Sequence, residues 1–267
     1  MRWLLALFAL PLFSLEQQPY FGQQWEFYLT PSYQYRYYPA VQNARNPSHY
    51  SSHDHTLGLN LQVSFWPRWD LQLEADFAAT SKTPFGMQSI AADLRYLFFD
   101  DVQGDPVSLT LGTIIRVVPY HFQKDPSTPY HATTNIEVGT AIGKEVDHLD
   151  YWVVRGWGYL GLGIGNRGAP WLNSELAFEG NRENHHHFRA FAKGYMGMGG
   201  IHTVNISHLR GYANIYHRSI DLGGRYTYLF DIWGRASLEY AYRLYARAYP
   251  KCAHTFVFRY TLPFSVL

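Results

Sequence analysis

The strongest constraint on this chain is a hydropathy period of two. From residue 25 almost to the C-terminus, apolar residues recur at every second position. The clearest run is Trp69-Asp70-Leu71-Gln72-Leu73-Glu74-Ala75-Asp76-Phe77, apolar at odd positions and polar at even ones. In a second run, Ala236, Leu238, Tyr240, Tyr242, Leu244 and Ala246 fall on one parity. Arg235, Ser237, Glu239, Arg243 and Arg247 fall on the other. Phe256, Phe258, Tyr260, Leu262 and Phe264 repeat the pattern near the end. Residues i and i+2 share a face only in an extended strand. Twelve such segments are predicted: 25–37, 55–65, 69–80, 87–99, 107–118, 132–143, 150–164, 171–180, 187–198, 216–230, 234–248 and 253–264. Their lengths exceed the roughly 5–6 residues of a globular strand and match the 9–11 or more that cross a membrane. No helical period is sustained after residue 18, and no linker interrupts the pattern. The reading is one all-β domain over residues 20–267.

Connections after even-numbered segments are short, such as Trp66-Pro67-Arg68 and Asp231-Ile232-Trp233. Those after odd-numbered segments are longer on average and include 38–54, 119–131 and 199–215. An even strand count with short turns at one end and long loops at the other is the pattern of a closed membrane barrel. A soluble barrel would need a charged outer face. Here only 16% of residues are charged, and five of the 22 cations are lysine, too few to solvate twelve strands. Tyrosine and tryptophan on the apolar parity near segment ends, such as Tyr35, Tyr37, Tyr96, Trp152, Tyr226, Tyr228, Tyr240 and Tyr242, suit the headgroup level. A net charge of +1 leaves no basic excess for a nucleic-acid partner. The single cysteine, Cys252, excludes an internal disulfide and a multi-cysteine metal site.

Residues 1–14 read as a signal peptide. Arg2 precedes an apolar run from Trp3 to Phe13, and Glu16 follows at once. The run is too short to span a bilayer as a helix, and cleavage after Ser14 is expected.

Export signal, alternation, loop asymmetry and an aromatic C-terminal strand together resemble bacterial outer-membrane β-barrel proteins. The resemblance covers about residue 20 to 267. It implies a closed antiparallel transmembrane barrel of about twelve strands in the outer membrane. Its partners would be membrane lipid, lipopolysaccharide and the assembly machinery of that membrane. Such proteins usually finish on Phe or Trp, whereas this chain finishes Phe264-Ser265-Val266-Leu267. Pro31, inside the first segment, predicts a bulge or break there.

If the apolar parity faces lipid, the polar parity faces the lumen. It carries Glu26, Asp70, Glu74, Asp76, Asp93, Glu137, Glu175, Glu179, Asp221 and Glu239. Against them stand Arg36, Arg95, Arg116, Arg155, Arg189, Lys193, Arg225, Arg243, Arg247 and Arg259. Such charges must be hydrated or paired. Two readings stay open: a hydrated pore for small polar solutes, or a lumen closed by salt bridges whose work is done by the loops. The narrow channel is the leading expectation, and no cofactor is expected.

Three motifs bear on these readings. Gly163-Ile164-Gly165-Asn166-Arg167-Gly168 matches a dinucleotide loop, but Ala169-Pro170-Trp171 leads into a strand instead of a helix. His217-Arg218-Ser219 places a base and a hydroxyl two apart. That spacing resembles outer-membrane phospholipases and lipid A deacylases, where such a pair is catalytic. The asparagine of the phospholipase pattern is replaced by Ile220. His217 and Ser219 are therefore candidates for the alternative function of a lipid hydrolase. His53-Asp54-His55 is a candidate metal site from residue type alone.

Overall fold

The computed structural model describes residues 15–148, 152–183 and 185–265. The expected signal peptide, 1–14, lies outside the described residues. Twelve long strands form a closed antiparallel barrel. They are β1 (Glu26–Tyr38), β2 (Ser52–Trp66), β3 (Trp69–Ala79), β4 (Gly86–Phe99), β5 (Ser108–Val117) and β6 (Thr134–His148). The second half supplies β7 (Trp152–Gly165), β8 (Trp171–Arg182), β9 (His186–Gly197), β10 (Arg218–Leu229), β11 (Arg235–Arg247) and β12 (His254–Ser265). Each strand pairs with its sequence neighbours, and β12 closes on β1, with Tyr33 opposite Phe258 and Tyr37 opposite His254. Every predicted segment overlaps one of these strands. The largest shift is in β6, which runs on to His148.

The outer surface is apolar. Leu73, Leu94, Ile115, Val138, Leu160, Leu176, Leu222 and Leu238 are all exposed. On a water-soluble barrel those positions would be buried. Here the polar parity is the buried one, with Asp70, Glu74, Asp76, Asp93 and Arg95 nearly inaccessible. A cation on the lipid face at mid-membrane would cost about 2–4 kcal/mol, so the pleat fixes which face each charge takes.

Two irregularities refine the reading. Pro31 stays inside β1 and pairs with Leu59 of β2, but on the β12 side the ladder skips from Leu29–Leu262 to Ser32–Arg259. Proline has no N–H to donate, so the ladder breaks without any shift of register. In β11 the register slips beside Ile220/Asp221: Asp221 opposes Arg243 while Ile220 opposes Tyr245. Leu244 is the extra residue. The bulge reverses parity beyond it, so Ala246 turns inward and Arg247, expected in the lumen, turns outward.

The long loops gather at one end. Ala40–Val41 pairs with Pro250–Lys251, and Ala44–Arg45 pairs with Val204–Asn205. Under them lies an apolar cluster of Tyr38, Val41, Val204, Ile206, Leu209, Tyr212, Ile215 and Tyr249. This cluster holds the loops together at that end of the barrel.

Candidate functional site in the barrel lumen

Alternation turns one carboxylate or guanidinium after another into the lumen, and antiparallel pairing sets them side by side. On β3, β4 and β5, Arg95 Nη2 lies 2.5 Å from Asp70 Oδ1, and its Nε lies 3.9 Å from Asp93. Arg116 Nη1 bridges Glu74 Oε1 at 2.7 Å and Asp76 Oδ2 at 3.0 Å. Across the lumen, Arg225 Nη2 and Arg259 Nη1 both reach Glu239 Oε2 at 2.8 Å. Arg189 pairs with Glu175, which Lys193 also approaches at 3.6 Å. Arg243 forks onto both oxygens of Asp221 at 2.7 and 2.8 Å. Arg155 pairs with Glu145 and stands 4.0 Å from Glu179. Glu137 makes no ion pair among the described residues; it accepts from Tyr159 Oη at 2.7 Å and Trp171 Nε1 at 2.8 Å. Room for that indole comes from β7, because a Cβ on Gly163 would lie 1.9 Å from the Trp171 ring.

Residues 15–22 fold back into this lumen from the short-turn end, which sequence reasoning did not anticipate. The Leu15 amide N donates to Glu74 Oε2 at 3.0 Å, and the Glu16 amide N donates to Gln72 Oε1 at 2.9 Å. Arg95 Nη1 donates to the carbonyls of Glu16 and Gln18 at 2.6 and 2.9 Å. The Glu16 carboxylate takes Arg225 Nη1 at 2.6 Å and Arg189 Nη1 at 3.1 Å. Tyr20 sets its ring edge-on to Trp157 and under the Arg155 guanidinium. The segment thus satisfies charges on opposite walls.

From the long-loop end, residues 118–133 also dip inward. Tyr130 Oη accepts from Arg116 at 3.1 Å, and the Ser127 hydroxyl donates to Asp54 at 2.8 Å. Between this loop and the N-terminal segment lies a chamber of about 360 Å³. Leu15, Glu16 and Gln17 line it on one side, Pro129 and Tyr130 on the other, and Glu137, Lys193 and Asp221 stand in its wall. A second space of about 70 Å³ is bordered by Arg155, Arg235, Arg259 and Glu179. Glu16 and Arg225 border both spaces.

The other candidates fare differently. His217 and Ser219 are both buried, but no hydrogen bond joins them among the described residues. The His217 Nε2 meets His131 Nε2 at 3.1 Å, and its Nδ1 has no hydrogen-bond partner among the described residues. Tyr212 and Tyr249 close around it. A Cβ on Gly197 would lie 2.4 Å from the His217 ring, so glycine is what admits it. Burial lowers the pKa of His131 to about 2, helped by His217. Burial and the Arg243 charge lower that of His217 to about 3. Both rings are neutral at physiological pH, and among the described residues no carboxylate hydrogen-bonds to the His217 ring. The metal candidates are not brought together. His53 and His55 lie on the outer face of β2, hydrogen-bonded to Tyr35 and Tyr33, while Asp54 points inward to Arg36. Successive side chains of a strand face opposite ways, so these three cannot share an ion. No cluster of three or more potential metal ligands occurs among the described residues.

No family model matches the sequence, and no curated protein matches it. Solved structures do. The COG4313 outer membrane channel from Pseudomonas putida F1 superimposes with a TM-score of 0.63 at 12% identity, covering 94% of this chain and all of that one. The NanC porin superimposes with a TM-score of 0.53 at 8% identity, covering 86% of this chain and 98% of that one. At such identities the likeness is one of fold. With its lipid-facing apolar belt and charged lumen, this chain is a twelve-stranded β-barrel of the bacterial outer-membrane type.

Proposed function

We propose that the protein is a narrow channel for small polar solutes, closed in this conformation by its own residues 15–22. The observation that carries the reading is the chamber of about 360 Å³ lined by charges of both signs. Glu16, from a segment with no strand pairing of its own, borders both this chamber and the space of about 70 Å³. A barrel that served only as a scaffold would have no need of a charged chamber, since buried charge is costly to maintain. Two structures of this fold are a channel and a porin, which supports the reading by analogy. Removal of residues 1–14 on export would leave Leu15 as the first residue. Its amino group would then be a cation already seated on Glu74.

Conductance in a planar bilayer tests this. The intact barrel should conduct weakly or in rare openings, and a variant lacking residues 16–21 should conduct steadily. Absence of conductance in both would reject the channel and favour a plugged barrel that acts through its loops.

A further inference from the structure

Arg218 begins β10 and Arg247 ends β11, and the two stand directly opposite each other in the ladder. Both are exposed. Arg218 shares parity with Ile220 and Leu222 on the lipid-facing side. Arg247 is brought to the same side by the bulge at Leu244. The pair sits two residues beyond Ile220 and Tyr245, both exposed on the apolar belt. At the rise of a strand that is roughly 7 Å farther along the strands, or about 5 Å in height at a barrel tilt of about 40°, which points to the headgroup level on the long-loop side.

The two guanidiniums converge on one ring. Arg218 lies 4.7 Å and Arg247 5.4 Å from the Tyr216 ring centroid, and Arg218 also donates to the Tyr216 hydroxyl. Neither makes an ion pair among the described residues, whereas Arg95, Arg116, Arg189, Arg225, Arg243 and Arg259 in the lumen all do. Like charges directly opposite across a ladder repel. Two arginine forks held over one aromatic ring, with no carboxylate beside them, match a tetrahedral oxyanion that can accept from both.

We propose that Arg218 and Arg247 bind the phosphate of a phosphorylated glycolipid headgroup, as in the lipid A moiety of lipopolysaccharide. This rests on the outer-membrane placement with the long loops outside, and it is independent of whether the lumen conducts.

The test is native mass spectrometry of the detergent-solubilised barrel titrated with bisphosphorylated lipid A or with the same lipid lacking phosphate. The wild type should retain the phosphorylated form about tenfold more tightly. Arg218→Gln with Arg247→Gln should abolish that preference while the barrel keeps its heat-modifiable mobility. Arg218→Lys with Arg247→Lys should keep part of it. Equal retention of both lipids by the wild type would overturn the proposal, as would a preference that survives the double Gln variant. Displacement of lipid A by inorganic phosphate at comparable concentration would overturn the lipid assignment in favour of a free-phosphate site.

Discussion

Glu16 and Arg225 are 209 positions apart in sequence and 2.6 Å apart in space. The carboxylate also takes Arg189, at 3.1 Å. Both arginines keep a second carboxylate, Glu239 for Arg225 and Glu175 for Arg189. Loss of the Glu16 charge therefore leaves each arginine one carboxylate, although Arg259 shares Glu239 and Lys193 shares Glu175.

Glu16→Gln should therefore leave the barrel folded and free residues 15–22. Charge-assisted hydrogen bonds contribute about 1.5–3 kcal/mol each, so losing them should raise the open fraction by more than about tenfold. Single-channel recording reads this directly. An unchanged open probability together with unchanged thermal unfolding would mean that the segment does not close the path.

The His131–His217 contact makes the loop end sensitive to acid. Both rings have folded pKa values, about 2 and about 3, below the ordinary 6.5, chiefly through burial. Such groups bind fewer protons folded than unfolded. Their packing is at full strength above about pH 6.5 and loses about 1.4 kcal/mol per histidine per pH unit as pH falls below it. At pH 5 the two together would lose about 4 kcal/mol. Amide exchange in residues 118–133 should be markedly faster at pH 5 than at pH 7, and His131→Gln should roughly halve the pH effect. Protection that does not change with pH would contradict a neutral buried pair.

The barrel was legible because the strand period is written residue by residue. Phe77, Leu94 and Leu238 announce their face wherever the strand pairs. The ion pairs were legible only as a class. Glu74 could be assigned to the lumen, but its choice of Arg116 depends on register, which alternation does not encode. Arg247 was misplaced because one inserted residue, Leu244, reverses every parity beyond it. His53-Asp54-His55 looked like a ligand set only while it was read as loop; β2 begins at Ser52 and separates them. The N-terminal segment was invisible for a different reason. Leu15-Glu16-Gln17-Gln18 has no period, and its partners lie between 56 and 209 positions away.

Orientation can be read from the native cysteine. Cys252 is exposed in the connection between β11 and β12, on the long-loop side. A membrane-impermeant maleimide should label it in intact cells, and Cys252→Ser should remove the signal. In that background Glu183→Cys, in the short turn between β8 and β9, should be labelled only after lysis. The reverse pattern would invert the topology.

Arg95 is the residue at which wall and segment are tied together. Its guanidinium, 2% exposed, pairs with Asp70, approaches Asp93, stacks over Phe21 at 4.9 Å and donates to the carbonyls of Glu16 and Gln18. Arg95→Met keeps most of the length and removes the charge. It leaves Asp70 and Asp93 buried without their cation, which should destabilise the barrel by about 3–5 kcal/mol and lower its unfolding temperature. Adding Asp70→Asn should recover much of that loss, since Gln62 and Ser64 still donate to position 70. The carbonyls of Glu16 and Gln18 would still lack their donor, so the segment should stay loosened and conductance should stay raised in the double variant. Stability and conductance thus separate. Recovery of both together would mean that Arg95 serves the wall alone and that the segment is held by Glu16.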